Sequence, residues 1–356
     1  MNPFESLEAW LRHWLDSWPE GRAFRVVSEA GAAIGTDRGP VRSDNQDRAV
    51  VMRFMGAEQK PSYICAVVCD GMGGMRDGAA CATIAIASFV TRLISQSEGQ
   101  EWSIGSSPVS FLQNAVVAAN DAVFNFAGGS GGTTLSAILM SSTGSLYWTN
   151  VGDSRVYAFR VDAQGRPELL KITTDDNLED AFGGKGRELV QFIGIGQGLE
   201  PHADRIPPNS LSAIITTDGI HSIGPELMAP IFEKSPNYKS GTERLLAAAN
   251  WVSGADNGTI IGLSIAEAQK CLQYGSTDRF TTVEFWKPGD PGQIVVPLID
   301  IPKASSALSR RPVPSPKGAP ATPKQKRQRN SKRKSEPAQL EIDVNYERKS
   351  GDDENR

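Results

Sequence analysis

The stretch Val67-Val68-Cys69-Asp70-Gly71-Met72-Gly73-Gly74 joins a short apolar run to one carboxylate and then to glycines. The apolar run predicts a buried strand, so Asp70 lies at a strand end, where its oxygens can leave the apolar layer and meet a hard cation. The glycines let the backbone approach such a cation closely, so that a carbonyl oxygen becomes a further ligand. Taken alone, the pattern is more often an ordinary turn.

Four more aspartates stand beside predicted strands. Asp47 and Asp256 come just before apolar strands, Asp218 follows one, and Asp153 lies in a Gly-Asp turn between two. The chain has three histidines and no paired cysteines, so a five-carboxylate set suits Mg²⁺ or Mn²⁺ better than Zn²⁺. Two such cations about 3.5–4 Å apart can clamp an in-line phosphoryl displacement and lower the pKa of a bridging water.

In chain order, the motifs R-x-x-N-x-D, D-G-M-G-G, G-G-T-T, V-G-D-S-R, T-D-G and D-N-x-T resemble those of the metal-dependent type 2C protein phosphatases, the PPM family. The resemblance spans residues 30–265. The Asp-Gly-Met-Gly-Gly run is similar to the bacterial subgroup, because it lacks the histidine that eukaryotic members place after Asp70-Gly71. The resemblance implies an α+β fold, a four-layer α-β-β-α sandwich with two antiparallel sheets. It also implies metal-dependent hydrolysis of phosphoserine and phosphothreonine in proteins.

The resemblance further implies a set of metal ligands for Mn²⁺ or Mg²⁺, with two tightly bound ions and a third, weaker one. Asp153 matches the carboxylate of the weaker third site. The full implied ligand set is Asp47, Asp70, Gly71 (through its carbonyl), Asp153, Asp218 and Asp256. Taken singly, Asp153 would more often be a hairpin-turn residue.

Arg42 matches the arginine that grips the substrate phosphate, and together with Asp47 and Asp70 it completes the implied catalytic set. Its planar guanidinium group suits bidentate pairing with phosphate oxygens, although a lone arginine is more often a surface ion-pair partner. The Asn257 amide and the Thr133-Thr134 hydroxyls are expected to support turns and strand ends.

Two segments depart from the family pattern. Thr173-Thr174-Asp175-Asp176-Asn177 stands where the family usually shows a T-x-D-H segment, and it reads as a degenerate version. The following loop, Gly183-Gly184-Lys185-Gly186, reads as a shortened substrate-facing flap. These departures leave the identity of the phosphoprotein substrate open.

Composition favours an intracellular globular enzyme followed by a tail. A chain of 356 residues can hold one domain of about 250–270 residues plus an extension. The four cysteines show no CxxC spacing and read as free thiols in a reducing compartment, which predicts a cytoplasmic protein. No run of 18 apolar residues and no secretory pattern is apparent, so we expect no membrane contact.

Charge is unevenly distributed. Residues 303–356 carry 14 Lys and Arg against 7 Asp and Glu, a net +7, which leaves −11 for residues 1–302. This Pro-, Ser- and Ala-rich tail is expected to be disordered and to bind an acidic partner or nucleic acid, unless it is only a solvated linker. It ends in a short mixed segment, 339–346, whose alternation suits an edge strand on a partner.

Periodicity predicts an N-terminal amphipathic helix (1–28) and an added β-hairpin segment (269–302), and composition predicts the disordered tail (303–356). The family resemblance implies that the remainder (29–268) is a phosphatase domain. Within the domain, a helix that is apolar almost all round is predicted at 77–95 and must be buried. The other expected helices are 108–126 and 241–252. The expected strands are 31–36, 47–54, 63–69, 133–140, 145–150, 155–160, 214–217 and 259–264.

Three functional hypotheses remain. The first is an active phosphatase that acts on a phosphoprotein, with a cognate Ser/Thr kinase as its counterpart. The second is a pseudophosphatase that keeps the fold as a binding or regulatory module; five retained carboxylates argue against it, because clustered like charges have little structural use. The third is a nucleic-acid-associated protein that works through its tail, which the acidic remainder disfavours.

Overall fold

The computed structural model describes residues 3–57, 60–72, 77–98, 107–182, 186, 188–273, 281–289 and 294–298. Two antiparallel sheets carry the fold. In spatial order, the first sheet contains β1 (Ala23–Val27), β2 (Ala32–Asp37), β11 (Gly258–Ser264), β10 (Ser210–Thr216), β7 (Arg155–Val161) and β8 (Pro167–Lys171). The second contains β13 (Ile294–Leu298), β12 (Thr281–Trp286), β3 (Arg48–Met55), β4 (Ser62–Cys69), β5 (Leu135–Ser141), β6 (Leu146–Val151) and β9 (His202–Arg205).

Helices flank the two sheets. They are α1 (Pro3–Asp16), α2 (Gly78–Glu98), α3 (Pro108–Ala127), α4 (Leu178–Phe182), α5 (Asp218–His221), α6 (Pro225–Glu233), α7 (Tyr238–Val252) and α8 (Ile265–Gln273). One apolar cluster joins α1, α2 and α3 to the second sheet, another lies between the two sheets, and a third joins α5, α6 and α7 to the first sheet. This layering confirms the predicted α-β-β-α sandwich.

Local sequence explains where the outer helices begin and end. In α3, the Ser107 side chain accepts a hydrogen bond from the Val109 amide, Pro108 fills the first turn, and Gly128 closes the helix at φ +59°. In α7, the Asn237 side chain accepts from the Ser240 amide in the same way. These caps satisfy backbone groups that would otherwise lie unpaired at the helix ends.

The central helix α2 is buried on nearly every side, as its composition predicts. By length and hydropathy it would also suffice to cross a membrane, which corrects the expectation that no stretch comes close. Within this fold, 78% of its most apolar window is buried against other elements, as in the core helix of a compact domain.

The N-terminal helix α1 packs its apolar stripe on this same core. Leu7, Leu11 and Leu15 are each at most 5% exposed, and burial of a leucine contributes about 1.5–3 kcal/mol. The face predicted from the spacing of Leu7, Leu11, Trp14 and Leu15 is therefore the face that contacts the domain.

Several expectations need correction at the level of single elements. Residues 265–273 form α8, which crosses the predicted end of the domain at 268 and enters the segment assigned to the hairpin. Ala268 and Leu272, both buried, stand at helical spacing there. The N-terminal helix predicted over 1–28 ends at Asp16, and residues 23–27 form strand β1. The predicted hairpin is represented by β12 and β13, which pair antiparallel, and β12 also pairs with β3, so it extends the second sheet. The tail at 303–356 and its end segment lie outside the described residues.

Candidate metal centre

The five predicted aspartates lie where strand ends of both sheets meet. Asp47 immediately precedes β3 and Asp70 follows β4 in the second sheet. Asp218 begins α5 after β10, and Asp256 lies just before β11, in the first sheet. Asp153 occupies the turn that leads from β6 in the second sheet to β7 in the first. The fold thus delivers carboxylates from both sheets to one edge.

A cavity of about 340 Å³ opens at this edge. Four of the five aspartates reach its wall, whereas the Asp47 side chain is fully buried behind it. Polar residues dominate the lining, which comprises Arg42, Ser43, Asp44, Gln46, Asp70, Gly71, Met72, Thr134, Asp153, Leu189, Asp218, Asp256 and Asn257.

Threonine side chains fix the backbone at Asp70. The Thr133 hydroxyl donates to the Asp70 carbonyl at 2.7 Å, and the Asp70 amide donates to the Thr134 hydroxyl at 3.0 Å. The next residue must be glycine, because a Cβ at Gly71 would lie 2.4 Å from the Gly78 carbonyl oxygen. These contacts agree with the structural role expected for Thr133 and Thr134.

Asn257 supports the opposite side of the cavity in the same manner. Its amide nitrogen donates to the carbonyls of Arg38 and Asp44, each at 2.9 Å, and its oxygen accepts from the Gln46 amide at 2.8 Å. The loop that leads to Asp47 is therefore tied to the turn that carries Asp256.

Two buried carboxylate oxygens stand out. The Oδ2 atom of Asp47 accepts from the Thr217 hydroxyl at 3.0 Å. Its Oδ1 atom and the Oδ1 atom of Asp218 are buried and accept no hydrogen bond from any described residue. An unpaired buried acceptor of this kind is costly, and a cation that these oxygens ligate would relieve the cost.

Burial and repulsion from neighbouring carboxylates raise the pKa values of Asp47, Asp70, Asp153 and Asp218. Burial, followed by the charge of neighbouring aspartates, raises the pKa of Asp47 to about 7 and that of Asp153 to about 6. The pKa of Asp70 lies well above its usual value for the same reasons, and burial and Asp256 raise the pKa of Asp218. The edge is therefore a concentration of uncompensated negative charge.

Arg42 partly offsets this charge. Its Nη2 atom lies 2.6 Å from Oδ2 of Asp256, and its side chain is 45% exposed. Among the described residues no three Asp, Glu, His or Cys side chains are already gathered in metal-ligand geometry. The Asp256 carboxylate is held by this arginine.

The turn at Asp153 has supports that the sequence interpretation missed. Gly152, at φ +97°, donates its amide hydrogen to Asp176 at 2.9 Å, and His202 contacts the other Asp176 oxygen at 2.9 Å. Asp175 pairs with Arg155 through both carboxylate oxygens. The segment judged degenerate thus anchors the V-G-D-S-R turn through two buried aspartates, and the doubled Asp was the available signal. Part of the adjacent flap, 183–185, lies outside the described residues.

Comparisons with known proteins show similarity to bacterial serine/threonine phosphatases. No protein-family model matches the sequence. A curated relative from Listeria innocua, "Serine/threonine phosphatase stp", is 26% identical over 253 residues, which cover 65% of this chain and 94% of the relative. A protein of the same name from Listeria monocytogenes is also 26% identical, again over 65% of this chain and 94% of its own length.

Solved structures show the same fold. The PPM Ser-Thr phosphatase MsPP from Mycobacterium smegmatis, in complex with cacodylate, matches with a TM-score of 0.51 and 24% identity, over 65% of this chain and 97% of its own. The catalytic domain of the phosphatase PstP, in complex with two manganese ions, matches with a TM-score of 0.50 and 24% identity, over 68% and 97%. These likenesses support the sandwich as the fold of the described core.

Proposed function

We propose that this chain, whose resemblance to the bacterial PPM-type serine/threonine phosphatases extends to both sequence and fold, hydrolyses phosphoserine and phosphothreonine in proteins with Mn²⁺ or Mg²⁺. Its curated relatives are named serine/threonine phosphatases, and it is an enzyme of this class. The observation that carries the proposal is the convergence of five strand-end aspartates, with two buried oxygens that accept no hydrogen bond from the described residues.

The donor set fits hard divalent cations. It offers only oxygen atoms: the carboxylates of Asp47, Asp70, Asp218 and Asp256 and the backbone carbonyl of Gly71. Asp153 lies on the turn between β6 and β7 and is proposed as a ligand of a weaker third site. When bound, such cations supply a nucleophilic water and neutralise charge on the phosphoryl group. The manganese-bound PstP structure supports this assignment by analogy.

Arg42 is proposed to bind the phosphate of the substrate. It lines the cavity and is about half exposed, so its guanidinium group can turn from Asp256 toward a phosphate without losing a buried contact. None of the described residues lining the cavity is a histidine, so a water molecule, held by the cation or from bulk solvent, would protonate the leaving serine or threonine oxygen.

A second function, a pseudophosphatase that serves as a binding module, is less favoured. A scaffold without metal chemistry would gain stability by replacing Asp47 or Asp218 with neutral residues, because each is buried beside other carboxylates. We further propose a cytoplasmic location, since all four cysteines are free. The phosphoprotein substrate, a cognate kinase, and an acidic or nucleic-acid partner of the tail remain proposals.

The test is hydrolysis of an aryl phosphate and of a phosphothreonine peptide by the full-length protein, with Mn²⁺ or with a chelator. Turnover should require the metal, and Asp70→Asn and Asp218→Asn should each lower it by several orders of magnitude, because loss of a ligand charge weakens activation of the water. Asp121→Asn, which removes an exposed carboxylate from α3, is the matched control and should leave turnover unchanged. Metal-independent turnover, or near wild-type activity of either site variant, would overturn the proposal.

A further inference from the structure

Arg48 is a buried cation that lies directly behind the proposed metal centre. It is 6% exposed and opens β3, one residue after Asp47. Its Nη1 atom donates to the carbonyls of Asn45 at 2.9 Å and Asp47 at 2.7 Å, and its Nε atom donates to the Thr83 hydroxyl of α2 at 3.2 Å. One guanidinium therefore fixes the main chain around Asp47 to the central helix.

An indole covers the face of this guanidinium. The Arg48 Cζ atom lies 5.2 Å from the centroid of the Trp18 ring, just beyond the end of α1. A guanidinium is weakly hydrated and planar, so it can be buried flat against an aromatic face. Trp18 is therefore positioned to hold Arg48 in the orientation that its two carbonyl contacts require.

Residues in and just after β12 contact α1, the helix that precedes Trp18. The rings of Trp10 and Trp14 stack on one another, with centroids 5.7 Å apart, and lie 6.1 and 6.3 Å from that of Phe285 in β12. Just after β12, the Lys287 ammonium, 3% exposed, donates to the Trp14 carbonyl at 2.5 Å and to the Ser17 carbonyl. A cation at this position satisfies carbonyls at the helix C-terminus and opposes its negative dipole end.

We call α1 with Trp18, and β12 with Lys287, the terminal brace. Both parts lie at the ends of the described chain, outside the span 30–265 that carries the phosphatase motifs. They contact each other through aromatic rings and through Lys287, and they reach the metal-site loop through Trp18 and Arg48. The brace thus forms a continuous path of contacts from the chain ends to the backbone of Asp47.

We propose that Arg48 is a positioning residue for the metal centre, and that the terminal brace sets its orientation. The inference rests on the proposed metal function, and it adds a role for two segments that the phosphatase motifs leave unexplained. Groups that orient metal ligands from behind commonly change metal affinity by about 10–100-fold when removed. Arg48 acts through the main chain of residues 45–47, so its loss should weaken binding of the ion that Asp47 holds.

The experiment is isothermal titration of Mn²⁺ into the full-length protein and its variants, with urea unfolding measured in parallel. Arg48→Met should raise the Kd for Mn²⁺ by about tenfold or more. Arg48→Lys, which keeps a charge and one carbonyl contact, should recover part of that loss. Trp18→Leu removes no hydrogen-bond partner of Arg48 but uncovers the face of its guanidinium, so it should raise the Kd by a smaller factor.

Arg160→Met is the matched control, because Arg160 lies on β7 of the first sheet and pairs with Glu168 of β8, outside the brace and the metal-site loop. It should leave the Kd within about twofold, as expected for independent sites. If wild-type protein binds no Mn²⁺, the metal centre itself is wrong and the inference falls with it. If wild-type protein binds and the Arg48 and Trp18 variants bind equally well, or if Arg160→Met weakens binding as much, the inference alone is overturned. Should Arg48→Met not fold, Trp18→Leu and Arg48→Lys decide.

Discussion

Asp47→Asn should make the metal-free protein more stable, although it removes a proposed ligand. Asp47 is fully buried, and burial together with Asp218 and Asp256 raises its pKa from 3.8 to about 7. Because the folded pKa lies above the unfolded one, the folded state binds more protons between these values. The free energy of unfolding is therefore highest at low pH, where the carboxyl is neutral in both states. It falls as the pH rises from 3.8 to about 7, where the folded carboxyl has also ionised.

The size of the effect follows from that shift. About three pKa units at 1.36 kcal/mol each give roughly 4 kcal/mol of destabilisation at pH 8. An asparagine amide leaves one polar group without a partner, at a cost of about 1–3 kcal/mol. The net gain expected for Asp47→Asn is therefore about 2 kcal/mol, or roughly 4–8 °C in Tm for a domain of this size. At pH 5 the folded carboxyl is neutral, and only the ionisation of the unfolded chain above pH 3.8 destabilises wild-type protein, by roughly 1.6 kcal/mol. The cost of the buried amide is of the same size, so the gain should nearly disappear at pH 5.

The assay is thermal unfolding of the full-length protein at pH 5 and pH 8, in chelator and in millimolar Mn²⁺. The metal should reverse the order of stabilities, because wild-type protein gains binding free energy that Asp47→Asn has lost. Asp121→Asn, on the exposed face of α3, should behave like wild type throughout. A variant that is less stable than wild type in chelator at pH 8, or a gain that is equal at both pH values, would refute the electrostatic reasoning.

Three further outcomes are expected. Asp153→Ala should lower turnover more than it weakens the two tight sites, which titration of Mn²⁺ will measure; loss of both tight sites would place Asp153 in the core pair. A chain ending near Pro302 should hydrolyse a small aryl phosphate at close to the full-length rate, while a large acidic partner should bind it less well, in a salt-dependent way. Arg155→Met should lower the free energy of unfolding by about 3 kcal/mol, because Asp175 stays buried with one partner fewer. Arg166→Met, which breaks an exposed pair, should change it much less in the same urea titration.

Local patterns in the sequence were sufficient to predict the strand ends that carry the site. An apolar run followed by Asp-Gly identifies the ends of β4 and β10, because both the strand and the turn are decided by neighbouring residues. Helices α2, α3 and α7 were predicted to within a few residues of their bounds for the same reason. The implied roles of Asp70 and Asp218 still await the experiments above.

Elements that depend on distant partners were not predictable from periodicity. Strands β1, β8 and β9 are short and mostly half exposed, so they lack a clear alternating pattern. The pairing of β2 with β11 joins residues more than 200 positions apart. The contact between Trp18 and Arg48 likewise depends on how α1 packs, and a charged residue that opens a buried strand was its only sequence signal.

The way in which the site is held explains how one edge of the fold tolerates five carboxylates. Thr133, Thr134, Asn257 and Arg48 all bond to the main chain around the aspartates, and none of these bonds uses an aspartate carboxylate oxygen. Had these side chains bonded to the carboxylates, they would have lowered the pKa of those groups and occupied the oxygens that a cation needs. Hydrogen bonds to the main chain fix the positions of the aspartates and leave the negative charge of their carboxylates available to a cation. At pH 8 the stability lost to burial and repulsion of these charges is recovered when a cation binds, which is why substitution at Asp47 should have opposite signs with and without Mn²⁺.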